Sequence, residues 1–291
     1  MNGPKPNMVD GYGATMTPVV TRIHDPNDAR VAELRRLNDG KFRREVEAPG
    51  PFSLGLFVAE GWLVLERAIG AGCTIRAVLV LEARLDRLME VSGLGGCPVF
   101  VVDATTMRAV VGFDLHRGVV AVAQRRRLGD LGSVVGRSDR LMIVEGVSDT
   151  ENLGALFRNA AGLGATAAVI DSSSADPWAR RVVRTSMGHV LTVPWCRSPT
   201  AAALTAAGAA GHRIVALTPS GDVELSEVEV DDSPVTVVVG AEGPGLSDAS
   251  LGAASLRVRI DMAHEVDSLN VATAAAVAMW HLFGRRHRFS A

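Results

Sequence analysis

LMIVEGVSDTENLGALFRNAAGLGATAAVID, residues 141–171, runs through an apolar strand, a polar turn, a helix and a second apolar strand. Leu141–Val144 is the continuous apolar run that a strand shows when both faces of a parallel sheet are covered. Asp149, Thr150 and Asn152 stand where helices commonly begin, and an apolar helical pattern follows as far as the glycines at 162 and 164. Downstream come a helix near 177–186, VLTVPW (190–195), an Ala-rich helix near 199–210, RIVALT (213–218), PVTVVVG (234–240), LRVRID (256–261) and a long helix from about 268. Upstream, LFVAE (56–60), IRAVLVL (75–81), PVFVVD (98–103) and GVVAVAQ (118–124) alternate with helical patterns near 61–71 and 83–91. Both halves therefore read as α/β, each with a largely parallel sheet.

The boundaries follow from composition. Residues 1–20 read as a flexible polar tail, 21–125 as a first domain, 126–138 as a charged Gly/Ser-containing linker, and 139–291 as a second domain. Inside the first, DARVAELRRLNDG (28–40) places Val31, Leu34 and Leu37 at helical spacing, with Gly40 as its stop. At 291 residues, with 47% hydrophobic and 21% charged side chains, the chain has ample material for two cores. No apolar run approaches the roughly 18 residues that cross a bilayer, and the amino terminus lacks the pattern of a secretory signal. Cys73, Cys97 and Cys196 are far apart without CxxC spacing, so neither a disulfide framework nor a metal site is expected, and a reducing cytoplasm is.

Net charge is −2, but its distribution is uneven. Residues 1–140 carry 19 Lys+Arg against 16 Asp+Glu, and residues 141–291 carry 11 against 16. Basic residues gather at Arg35/Arg36, at Lys41, Arg43 and Arg44, and at Arg125–Arg127, all candidates for nucleic-acid phosphate, although solvated charge on ordinary helices explains clusters this small about as well. Acidic ones gather between Asp222 and Asp232 and would repel phosphate.

Three segments of the second half carry the chemistry. In DTENLGALFRNAAGLGA (149–165), Asn152 and Arg158 fall about 120° apart on one helix, which alone reads as a cap and a snorkelling side chain. In VVVGAEGPGLS (237–247), an apolar strand breaks into three glycines around Glu242, as where backbone approaches a ligand at the carboxyl edge of a parallel sheet. Its spacing is not GxGxxG, and no GxxxxGK[ST] occurs, which disfavours nicotinamide and P-loop chemistry. In IDMAHEVDSLNVATAAAVAMW (260–280), Asp267, Ser268 and Asn270 stand at the mouth of an almost wholly apolar helix, where buried polar groups need partners.

In this order and spacing the three segments resemble the motifs of the SpoU-type (TrmH-like) RNA 2′-O-ribose methyltransferases of the SPOUT class. Asn152, Gly154, Arg158, Asn159 and Gly164 match the first motif. Gly240, Glu242, Gly243, Gly245 and Leu246 match the second, and Ile260, Met262, Ser268, Leu269, Asn270 and Val271 the third. Residues 41–124 are similar to the ribosomal-protein-like substrate-binding domain of many members. Asp261, His264 and Ala272 depart from residues frequent in the family.

The resemblance implies a small α/β substrate-binding domain followed by a SPOUT domain with a carboxyl-terminal trefoil knot, and a homodimer. It implies S-adenosylmethionine held by Gly240, Glu242, Gly245, Ile260, Met262 and Leu269, with no metal. It implies RNA as substrate, ribosomal sooner than transfer RNA. Arg158, Asn152, Glu242, Ser268 and Asn270 would carry the reaction. The family's first-motif Arg is often assigned as base, whereas a guanidinium stays protonated and suits a phosphate better. Glu242 would either hold its neighbours or accept the proton. An RNA-binding protein without activity, a nucleotide-dependent oxidoreductase and a base methylase are the rival readings.

Overall fold

The apolar runs become strands of two sheets. The computed structural model describes residues 17–50, 53–263 and 268–283; residues 1–16 of the expected tail, His264 and Asp267 lie outside them. The first half comprises β1 (Val19–Arg22), α1 (Gly40–Glu47), β2 (Leu56–Glu60), α2 (Trp62–Gly70), β3 (Ile75–Leu81), α3 (Leu85–Met89), β4 (Pro98–Val102), α4 (Ala104–Val111) and β5 (Val119–Gln124). Its strand order is β1-β4-β3-β5-β2.

This sheet is mixed, not largely parallel. β1, β4 and β3 run together, but β5 is antiparallel to both β3 and β2. β4 ends beside Leu81, and β5 begins beside Val80, at the same edge of the sheet. After α4 stops at Gly112, residues 113–118 bring the chain back to the edge it had left, so the next strand enters reversed. Strand–helix alternation leaves this return open. The structure also places Val19 and Val20 opposite Pro98 and Val99 in β1, within the stretch that composition assigned to the tail.

The second half comprises α5 (Leu131–Gly136), β6 (Arg140–Val144), α6 (Thr150–Gly162), β7 (Ala167–Ile170), α7 (Arg180–Thr185), β8 (Trp195–Arg197), α8 (Thr200–Ala209), β9 (Arg213–Leu217), β10 (Val223–Glu224), β11 (Val235–Val239), α9 (Asp248–Ala253), β12 (Leu256–Arg259) and α10 (Val271–Phe283). α5 occupies the stretch that reads as linker; Asp130 caps it, and Val134 and Val135 are buried with Leu204 of α8. Six residues are too few for a helical period to show in a sequence.

The second sheet, ordered β10-β12-β9-β11-β6-β7-β8, is parallel throughout. Residues alternate between its faces: Met142, Val144, Val237 and Val239 pack towards α6 and α10, while Leu141, Ile143 and Val238 pack towards α5 and α8. The two last strands enter between earlier ones, β11 between β9 and β6, β12 between β10 and β9.

The halves share one apolar cluster, from Phe57 and Trp62 of the first to Phe157, Trp178 and Trp195 of the second. Phe57 lies 5.1 Å from Trp178, Trp178 lies 5.6 Å from Trp195, and Trp195 lies 6.2 Å from Phe157, between ring centroids. Such contacts favour tilted and edge-on geometries and add to the burial of the rings. Around this seam the Arg180 guanidinium donates to Glu60 at 2.5 Å, and Arg126 donates to the Leu191 carbonyl at 2.7 Å. No helix of the described residues is long and apolar enough to cross a membrane.

Candidate active site

β9, β11 and β12 end at one edge of the parallel sheet, and a cavity of about 610 Å³ opens there. Carboxyl edges of parallel strands are where α/β sheets take ligands. Val239, Val258, Ile260, Met262, Leu269 and Val271 give the cavity its apolar wall, and the turn after β11 gives it a wall of backbone. That turn folds back on itself, the Gly245 N–H donating to the Ala241 carbonyl at 3.0 Å. A Cβ on Gly240 would lie 2.4 Å from the Gly245 carbonyl carbon, so position 240 admits no side chain.

At the rim, the three sequence segments meet. Asp149 caps α6 by accepting from the Glu151 and Asn152 N–H groups, both at 2.8 Å. The capping role that the sequence offered Asn152 thus falls to Asp149, and the Asn152 amide is released for a longer reach. Its Nδ2 donates to Glu242 Oε1 at 2.9 Å. Asn270 Nδ2 donates to Asn152 Oδ1 at 2.8 Å and to Glu242 Oε1 at 3.1 Å. Meanwhile Asn270 Oδ1 accepts from the Ala272 and Thr273 N–H groups at 2.9 and 3.3 Å, capping α10. Asn159 adds a second tie between these helices, donating to the Ala272 carbonyl at 2.8 Å. Gly154 lets α6 lie against α7: a Cβ there would stand 2.7 Å from Thr185 Cβ.

A relative from Mycobacterium bovis, an uncharacterized tRNA/rRNA methyltransferase, is 40% identical over 267 residues, 90% of this chain and 91% of that one. The SpoU rRNA Methylase family model matches residues 139–280, which contain the whole rim. The chain belongs to the SpoU rRNA methylase family. It is accordingly an RNA methyltransferase that uses S-adenosylmethionine. An rRNA methyltransferase from Sinorhizobium meliloti, solved with AdoMet bound, superposes with a TM-score of 0.77 at 25% identity, covering 93% of this chain and 99% of that one. A Burkholderia 23S rRNA (guanosine-2′-O-)-methyltransferase, RlmB, is 28% identical over 70% of this chain and 85% of its own length.

Within this SPOUT fold, Gly240, Glu242, Gly245, Ile260, Met262, Ser268, Leu269 and Asn270 all line the one cavity. Leu217, Thr218 and Pro219 line it too, and the sequence reading passed over them. Their signal was available: RIVALT ends a strand at a Pro-Ser-Gly turn, and the ends of parallel strands face ligands.

Arg158 is set apart from this group. It is exposed on α6, outside the cavity lining, with no hydrogen bond or ion pair among the described residues. Nearby is His189, which burial and the charges of Arg67 and Arg158 hold below its ordinary value.

The basic cluster on α1 divides. Lys41 and Arg44 are exposed. Arg43 is buried, its Nε donating to Glu47 at 2.8 Å and its Nη1 to the Glu33 carbonyl at 2.6 Å. Arg43 therefore cannot serve as the phosphate ligand that its place beside Arg44 suggested. Arg35 is likewise committed to the Pro26 and Asp28 carbonyls, and Arg125 to Leu56 and Asp176. Arg36 is paired with Asp39.

Proposed function

We infer that the protein methylates a ribose 2′-hydroxyl of RNA, and that the RNA is ribosomal. One observation carries the reading: Asn152, Glu242 and Asn270 converge at the rim of the cavity, while Arg158 on the same helix as Asn152 is exposed and has no partner among the described residues. The ribose and the ribosomal target follow relatives such as the Burkholderia enzyme named above.

The cavity suits an adenosine-bearing cofactor. Its apolar wall can cover a nucleoside, and the Gly240–Gly245 turn offers backbone where a Cβ could not fit. S-adenosylmethionine supplies an electrophilic methyl group on a sulfonium. The protein's part is to align the ribose oxygen and take up its proton. Asn152 and Asn270 position the rim. Glu242 Oε1 is committed to their two amides, whereas Oε2 has no hydrogen bond among the described residues and is open to accept a proton. Arg158, a permanent cation, anchors a phosphate next to the target and steadies the alkoxide as it forms. Ser268 lines the cavity mouth and would help seat the ribose.

Lys41 and Arg44, without Arg43, form the remaining contact for RNA on the first domain. Homodimerisation is supported by α10, where Trp280 is 71% exposed and Val277 lies exposed one turn before it. The carboxyl-terminal knot accords with the late insertion of β11 and β12 into the sheet. A cytoplasmic location accords with three buried, unpaired cysteines.

Incubation with methyl-labelled S-adenosylmethionine and separate ribosomal and transfer RNAs, followed by digestion to nucleosides, tests the proposal. Label in a 2′-O-methylnucleoside from ribosomal RNA is expected. Label on a base, or only in transfer RNA, would refute it.

A further inference from the structure

Glu145 follows β6 and has no part in the rim, yet it touches both ends of the turn that lines the cavity. Its backbone N–H donates to the Val239 carbonyl at 2.9 Å, where the turn begins. Its carboxylate reaches the far end. Oε1 accepts from the Ser247 N–H at 3.4 Å, and Oε2 accepts from the Ser250 hydroxyl at 2.5 Å. Ser247 caps α9 by accepting from the Ser250 N–H at 3.2 Å, and its own hydroxyl donates to Ser250 Oγ at 3.1 Å. The two serines thus relay α9 onto Glu145. Ser250 is only 2% exposed, so its hydroxyl bond is sheltered from water.

Among the described residues no cation pairs with Glu145; only the two serines satisfy its carboxylate. A charge-assisted hydrogen bond this short is stronger than a neutral one, and the Ser250 hydroxyl is costly to leave without its acceptor. Gly240, Glu242, Gly243 and Gly245, all cavity-lining, lie between the two points that Glu145 holds.

We propose that Glu145 is a positioning residue for the cofactor: by clasping Val239 and Ser247–Ser250 it fixes the span of the Gly240–Gly245 turn, and so the backbone wall against which S-adenosylmethionine lies. It acts through the turn and touches neither methyl donor nor RNA. This rests on the reading that the cavity holds S-adenosylmethionine.

The test compares wild type with Glu145→Ala, Glu145→Gln and Ser250→Ala in the full chain. Affinity for S-adenosylmethionine and S-adenosylhomocysteine is read by calorimetry, RNA affinity separately, and kcat and KM with each substrate varied. Glu145→Ala is expected to weaken both cofactor forms about tenfold and to raise KM for S-adenosylmethionine equally. The value of kcat at saturation and RNA affinity should stay within about twofold. Glu145→Gln keeps an acceptor for Ser247 and can donate to Ser250, so it should recover to within about threefold of wild type. Ser250→Ala, which leaves Glu145 in place, should lie between the two, and carries the test if Glu145→Ala does not fold.

Unchanged cofactor affinity in Glu145→Ala and Ser250→Ala would overturn the clasp. So would a fall in kcat with KM unchanged, or equal losses of cofactor and RNA. A wild-type protein that binds neither cofactor form would instead overturn the reading of the cavity itself.

Discussion

Arginines at the seam between the two sheets and Arg158 on α6 belong to the same residue type and meet opposite ends. At the seam, Arg125 pairs with Asp176 at 2.9 Å, Arg126 donates to the Leu191 carbonyl, and Arg180 donates to Glu60 and Asn38. Those guanidiniums are consumed in holding the halves together over the Phe57–Trp178–Trp195 rings. Arg158, by contrast, is exposed, with no hydrogen bond or ion pair among the described residues. A cation already saturated by carbonyls and carboxylates fastens structure; one left open on the surface can take an anion from outside. The contrast repeats within a single turn of helix, where Arg43 is buried on Glu47 and Arg44 is exposed.

The largest effect should come from dividing the molecule at its seam. Residues 126–291 expressed alone would expose Trp178 and its apolar surroundings to water, so an aggregated product is expected. A soluble fragment with a cooperative unfolding transition would show that the seam is a docking surface between independent units.

Next in size are substitutions that open the seam or its buried supports. Trp178→Ala should cost about 3–5 kcal/mol, because the indole no longer packs against its neighbouring rings and a cavity is left behind. Arg43→Ala should cost a similar amount, about 3–5 kcal/mol, because Glu47 would keep a buried charge without its partner. Urea unfolding measures both, and a loss below about 1 kcal/mol for Arg43→Ala would place it with the solvated surface charges.

Smaller, and of another kind, is the effect expected of Lys41→Glu with Arg44→Glu. Stability should hold within about 0.5 kcal/mol while RNA affinity falls, with the salt slope flattening by about one unit for each phosphate no longer neutralised. An unchanged slope would remove the first domain's basic helix from the RNA path.

The smallest concerns pH. Burial, with Arg67 and Arg158 nearby, keeps His189 below 6.5; burial likewise keeps His212 below it, despite its backbone hydrogen bonds. Below that pH the unfolded chain takes up protons that the folded one resists, so stability falls as pH drops from 6.5 towards the folded values. Above 6.5 this contribution is complete and flat. In Arg158→Ala the His189 share should shrink, visible as a shallower acid-side decline in urea midpoints. An identical decline would mean that Arg158 does not reach His189.

Much of the second half was legible because its signals are local and repeated. Buried parallel strands read as continuous apolar runs, and the glycines around Glu242 mark backbone that must come close. The meeting of Asn152, Glu242 and Asn270 was legible only by resemblance, since residues 90 and 28 positions apart carry no spacing that foretells a shared hydrogen bond. Three features escaped for distinct physical reasons. β5 reversed because a short return loop, which no periodicity encodes, brought it back to the edge β4 had left. α5 was hidden by its brevity. Arg43, Arg125 and Arg126 passed as surface charge because their acceptors are carbonyls and carboxylates distant in the chain or one turn away, and exposure is not written in a residue's name.

The most direct test is single-turnover methyl transfer to ribosomal RNA by Arg158→Ala and Arg158→Lys, with S-adenosylmethionine affinity measured on the same preparations. Both variants are expected to bind cofactor within a few fold of wild type and to lose transfer by at least about a hundredfold, lysine included, because a point charge does not reproduce a planar fork on phosphate. Transfer at the wild-type rate in either variant, or loss of cofactor binding in a folded protein, would contradict the assignment of the free arginine to the RNA.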